Sequence, residues 1–131
     1  MSSDQQSIRK LVADWLRYSE SGEVEKILPL MAEDVIFLTP GNPPIRGRDA
    51  FAAGFRQAIA IFALETRSEI NEISVFGDWA YCWSHLEVIM TPKKGGSAIK
   101  NAGNILSVLR KQSDGSWVLY RDANLLVPAG G

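Results

Sequence analysis

One cysteine and one histidine are all this 131-residue chain has of either residue. The lone Cys82 excludes an internal disulfide framework and points to a reducing compartment, so a cytoplasmic protein is expected. A metal centre needs several His, Cys or carboxylate ligands at matched spacing; one His and one Cys do not supply them, and no metal is expected. No apolar run approaches the ~20 residues that span a bilayer, and MSSDQQSIRK at the start lacks the apolar core of a signal peptide. Charge is scarce in excess: the formal net charge is −1, with no basic block. Neither nucleic acid nor an anionic membrane is therefore favoured as a partner. Nor is there a phosphate-cradling glycine loop, because Gly95-Gly96 falls between two strand patterns rather than between strand and helix. A Gly-x-Ser-x-Gly elbow is missing, as is any nicotinamide or flavin motif. The expected chemistry uses no cofactor.

What is present is helices first and strands afterwards. Ile8, Leu11, Val12, Trp15 and Leu16 recur at spacings of three and four, which predicts an amphipathic helix from Asp4 to Ser21, ended by Gly22. A second short helix is expected over Glu23–Met31, ending or kinking at Pro29. Val35–Leu38 reads as a strand closed by Thr39-Pro40-Gly41-Asn42-Pro43-Pro44. Arg48–Phe62 reads as a third helix with Phe51, Phe55, Ile59 and Phe62 on one stripe. Beyond Glu65 the period falls to two, with strands expected near 65–76, 79–91, 99–112 and 116–127. Gly77-Asp78, Pro92–Gly96 and Ser113-Asp114-Gly115 supply the turns between them.

This order predicts one α+β domain over residues 1–131, with three helices on one face of a strongly curved, mostly antiparallel sheet and a cavity between them. Along 79–91 both alternating sets are rich in apolar groups. A strand apolar on both faces is covered on both, so a homodimer through the sheet is expected, with a small-molecule ligand in the cavity.

The block GEVEKILPLMAEDVIFLTPGNPPIRGRDAFAAGFRQ, with GDWAYCWS and VLRKQSDGSWVLYRDAN, resembles the nuclear transport factor 2-like superfamily. That superfamily includes ketosteroid isomerases, SnoaL-like polyketide cyclases, limonene epoxide hydrolases and SgcJ-like small proteins. The resemblance is nearest to the SgcJ-like members and implies the cone-shaped cystatin-like fold. Matched to the ketosteroid isomerases, the oxyanion tyrosine falls on Trp15, the general-base aspartate on Thr39 and the second oxyanion donor on Ser107. Enolisation needs a base and acidic donors, and all three positions depart from that set.

The polar residues of the last long strand offer replacements. Tyr120, Asp122 and Asn124 share one face, which the family pattern turns inward. Gly103 and Ser107 take inward parity on the preceding strand, and Tyr81, Trp83 and His85 on the one before. Asp122 in an apolar cone is expected to hold its proton unusually tightly, and imidazole titrates near neutrality. Asp122 and His85 are therefore the candidate catalytic pair. Trp15, Thr39, Phe55, Tyr81, Trp83, Ser107, Tyr120 and Asn124 are candidate ligand-binding residues. Plainer roles stand beside these: His85 as a core or interface residue, Asp122 and Asn124 as partners of backbone groups at the sheet's end, Trp15 and the phenylalanines as core. Trp79 and Trp117 are expected at the rim or dimer face, and Cys82, beside Ala80 and Ser84, as an outward-facing inert thiol. The function expected is that of a small-molecule-binding cone protein: an acid–base enzyme of isomerase, cyclase, dehydratase or hydrolase type, or a non-catalytic binding or assembly domain.

Overall fold

A computed structural model describes residues 2–129. Helix α1 spans Ser3–Ser21; Ser2 caps it by accepting the Gln5 N–H at 3.1 Å. Gly22 ends it at φ 74°, a left-handed turn that lets Gly22 N–H reach Ser19 O and Glu23 N–H reach Tyr18 O. Ile8 and Leu11 on its inner stripe are buried against Ala80, Cys82, Leu109 and Trp117 of the sheet. Each such side chain contributes about 1.5–3 kcal/mol when fully withdrawn from water. Helix α2 (Val24–Ile27) runs into a single tight turn, Leu28–Leu30, where Pro29 stops the helix as expected.

Strand β1 covers Met31–Leu38, four residues earlier than its β-branched core suggested, and the pair Ile45–Arg46 forms a short β2. Helix α3 (Arg48–Ile61) is fastened to β1 because the Arg48 guanidinium donates twice to Met31 O, at 2.9 and 2.6 Å. Phe62, the last residue of the expected helical stripe, instead begins β3. The four long strands, β3 (Phe62–Phe76), β4 (Trp79–Pro92), β5 (Ile99–Lys111) and β6 (Trp117–Asn124), form an antiparallel meander. A final pair, β7 (Val127–Pro128), continues along β5.

The sheet order is β2-β1-β6-β5-β4-β3, with β1 parallel to β6. This one parallel pairing brings the N-terminal half against the last long strand. Two irregularities then break the strict alternation of faces. Between Ile70 and Glu72 on β3, and opposite Val108 and Leu109 on β6, the register slips by a residue, leaving Asn71 and Tyr120 as bulges. Leu119 and Asp122, three apart, consequently share the helix-covered face.

That face carries two clusters of buried side chains. One joins α1 to β4, β5 and the start of β6; the other gathers Ile27, Met31, Val35, Phe37 and Leu119 under Trp15, Phe51 and Phe55. Trp117 belongs to the first, 5% exposed, with its indole N–H on Asp4 at 3.0 Å. Its expected place at a rim or dimer face is corrected: the turn before it delivers it under α1. Among the described residues no helix is long and apolar enough to cross a membrane.

Candidate functional site

Small side chains make the hollow. On β4 the residues beneath α1 are Ala80, Cys82 and Ser84, too short to fill the space that Leu11 and Trp15 leave above them. The result is a cavity of about 180 Å³, walled by Leu11, Val12, Trp15 and Leu16 of α1, Phe37 of β1, Phe51 of α3 and the inner residues of the sheet. Trp15 meets Phe51 edge-on at 5.5 Å, and Phe51 stacks on Phe37 at 5.1 Å, so one wall is a fixed aromatic corner.

The opposite wall is polar, built by β3, β4, β5 and β6. Ser68, Ser84, Ser107, Asp122 and Asn124 all line it. Ser107 stands directly across the ladder from Asp122, and its hydroxyl donates to Asp122 Oδ1 at 2.6 Å. Asp122 is only 8% exposed. Burial pushes its carboxyl up to about 6, and the Ser107 hydrogen bond, which favours the ionised form, pulls only part of the way back. A carboxylate in this range is charged for most molecules at neutral pH, yet basic enough to accept a proton from a weak acid. Asn124 uses its carboxamide oxygen to accept the Leu126 N–H at 2.9 Å, an Asx-type turn that bends the chain between β6 and β7. The bend presses Leu125 and Leu126 against Gly103, where a Cβ would lie 2.4 Å from Leu125 O.

Among the expected site residues, Trp15, Ser107, Asp122 and Asn124 come together around this cavity. Phe55 stacks on Phe51 at 5.7 Å, one turn behind the wall. Thr39 lies in the turn after β1, its hydroxyl accepting from Asn42 at 3.2 Å, away from the cavity.

Three inward assignments on β4 are corrected. Tyr81, Trp83 and His85 sit on the outer face, where the Tyr81 hydroxyl donates to Glu72 and the Trp83 indole to Asn104. The helix needs small residues beneath it, so the large aromatics turn out. His85 is exposed, across from Glu69 and Asn104, and does not meet Asp122. Tyr120 also faces outward: as the bulged residue it lies between the Arg110 and Arg121 guanidinium groups, with Trp79 edge-on at 5.2 Å. Cys82, expected outside, lines the cavity, its thiol pushed up to about 11, chiefly by burial.

Sequence reasoning missed Ser68, Ser84 and Phe37. The alternation of small with large residues along Ala80–His85 was the available signal for the inner face. Among the described residues no group of three or more His, Cys, Asp or Glu is placed to hold a metal ion.

Solved structures of similar proteins share the fold. A conserved protein from Planctomyces limnophilus superposes with a TM-score of 0.94 at 35% identity, covering 97% of this chain and 98% of its own. A ketosteroid isomerase-like protein from Erwinia carotovora atroseptica gives 0.84 at 23% identity, covering 97% and 98%. An NTF2-like protein with a cystatin-like fold from Novosphingobium aromaticivorans gives 0.74 at 24% identity, covering 98% and 84%. The last two support the shared fold alone. The family model for the SnoaL-like domain matches residues 12–120, from the first cavity-lining turn of α1 to the bulge before Asp122, and the chain belongs to that family.

Proposed function

We propose that the protein is a cofactor-independent acid–base enzyme acting on a small, largely apolar ligand, with Asp122 as the proton-transferring group. The observation that carries this reading is one buried carboxylate, held near 6, opening onto a cavity that has no other charged side chain in its lining and an aromatic wall opposite. In the ionised state Asp122 takes a proton from a carbon next to a carbonyl. The C–H electron pair becomes the enolate π bond and the carbonyl pair moves onto oxygen. The Asn124 amino group is left to donate to that oxygen, because its own carbonyl is occupied by Leu126. Return of the proton from Asp122 to another carbon gives an isomer; alternatively the enolate pair re-forms the carbonyl and a C=C bond while a β-hydroxyl leaves as water with the proton from Asp122, giving a dehydrated product.

The test is hydrogen–deuterium exchange of cyclohexenone in deuterated water, followed by NMR. Wild-type protein is expected to accelerate exchange over buffer, and Asp122→Asn to lose the acceleration while remaining folded. Equal rates for both proteins would remove the enzyme. A second reading, a binding domain without turnover, is favoured by one observation: the position matched to the isomerase base, Thr39, lies outside the cavity. Binding without exchange would select it.

We further propose that the outer sheet face pairs with a second copy of the chain. Phe76, Trp79, Trp83 and Leu106 are exposed there, beyond what scattered surface residues require. Glu69 and Glu72 flank this patch on β3, Arg110 and Arg121 on β5 and β6. A two-fold axis between the flanks sets acid against base twice. Light scattering should give a dimer; a strict monomer at tens of micromolar would rule the pairing out.

A further inference from the structure

We propose that the cavity selects an uncharged, ring-sized ligand with a hydrogen-bond donor or acidic C–H for Asp122 and a carbonyl-type acceptor for Asn124, and that it excludes carboxylates and phosphates. This deepens the acid–base reading, since it rests on Asp122 facing the same cavity, but it does not depend on turnover.

Charge comes first. Among the described residues no lysine, arginine or histidine lines the cavity, and Asp122 is the one carboxyl that does. An anion placed inside would lose its water, find no counterion and face a carboxylate. Burying an unpaired charge under those conditions is strongly unfavourable.

Hydrogen bonding comes second. Asp122 Oδ1 is occupied by Ser107, while Oδ2 receives no protein donor. Among the described residues no fully buried side-chain nitrogen or oxygen lacks a partner, so Oδ2 opens onto cavity space. It is an acceptor waiting for a donor. Asn124 has the reverse character, because Leu126 N–H takes its carbonyl and leaves its two N–H groups. The two residues are alternate positions on one strand face, about 6.6 Å apart along the chain. That spacing suits a donor and an acceptor on opposite sides of one ring, or on a ring and its first substituent.

Size comes third. About 180 Å³ between Trp15, Phe37 and Phe51 admits one ring or a small fused pair, since an apolar cavity of about 150 Å³ accommodates benzene.

The experiment measures binding of three matched probes to the full chain by calorimetry at pH 7: meta-hydroxyacetophenone, meta-hydroxybenzoate and meta-hydroxybenzylamine. They share ring and hydroxyl and differ in a neutral carbonyl, an anion and a cation. The ketone is expected to bind at least about tenfold more tightly than the benzoate, and more tightly than the amine, whose ammonium gains Asp122 only by giving up its water together with that of the carboxylate. In Asp122→Asn, which keeps shape and removes charge, the gap between ketone and benzoate should narrow by at least about threefold yet persist, because the anion still loses its water and finds no counterion, with circular dichroism unchanged. Benzoate within threefold of the ketone on wild type, the amine binding tightest, or no ketone binding at millimolar concentration would each overturn the proposal. Selective binding without deuterium exchange would leave it standing and remove the enzyme. Exchange without charge discrimination would do the reverse.

Discussion

The two faces of β4 differ sharply in side-chain size and exposure. Inward, Ala80, Cys82 and Ser84 are small and buried; outward, Trp79, Tyr81, Trp83 and His85 are large and partly or fully exposed. The helix-covered side has given up side-chain volume, and the empty space is a cavity beside Asp122. The open side has the bulk, the aromatic stacking and the charged flanks. Chemistry is assigned to the face with little on it, association to the face with much. A hollow requires walls that do not fill it, whereas a contact surface requires side chains that stand out.

The largest expected effect breaks the inner face. Asp122→Asn should reduce any proton-transfer activity by about 10²–10⁴-fold, the range of a lost general acid or base, while the protein stays folded. Stability should report the same residue. Because the folded protein holds the Asp122 proton up to about 6 against an ordinary 3.8, protonation favours the native state. That contribution is complete below 3.8 and is lost as pH rises through 6, on the order of 3 kcal/mol in all. Denaturant melts of wild type against Asp122→Asn should diverge across that window, the variant becoming the more stable above it. Parallel curves would mean that the carboxyl is not buried as described.

Gly103→Ala is next. The added Cβ meets the Leu125 carbonyl oxygen and carbon at 2.4 and 2.8 Å, backbone atoms that move only if the bend after β6 moves. A loss of about 1–3 kcal/mol is expected, with Asn124 displaced and ketone binding weakened by more than stability alone accounts for. Unchanged binding would separate the bend from the site.

Ser107→Ala acts more gently. Removing the hydroxyl that donates to the ionised carboxylate should raise the Asp122 midpoint further, by about one pH unit, and carry the pH profile of exchange upward with it. The smallest effect belongs to the outer face. His85→Gln should leave exchange within about twofold and stability within about 0.5 kcal/mol, as expected of an exposed position. A large loss of exchange would return His85 to the chemistry.

Most of the fold was legible because it rests on local signals. The stripe from Ile8 to Leu16, Gly22, Pro29 and the three hairpin turns each act over a few residues, and the elements follow them. Facing was harder. Alternation propagates along a strand only while the register holds, and the bulges at Asn71 and Tyr120 each reverse it. Asp122 and Asn124 lie beyond the Tyr120 bulge and Ser107 on β5, which has no extra residue; the inward reading of all three is correct. Tyr120 is the bulged residue itself, and its inward reading is wrong. On β4, which has no bulge against β5, the error came from assigning the larger aromatics to the interior, where α1 packs too closely to admit them. Thr39 was placed by matching motifs alone, and nothing local signalled that its turn carries it clear of the cavity. Cys82 was misplaced with its strand.

A carboxyl-carbon NMR titration of Asp122 tests the central claim most directly, and one pH series suffices. A midpoint near 6, moving when meta-hydroxyacetophenone is added, is the expected result. A midpoint near 3.8 that ignores the ketone would mean a hydrated carboxylate facing bulk water, and no site in the hollow.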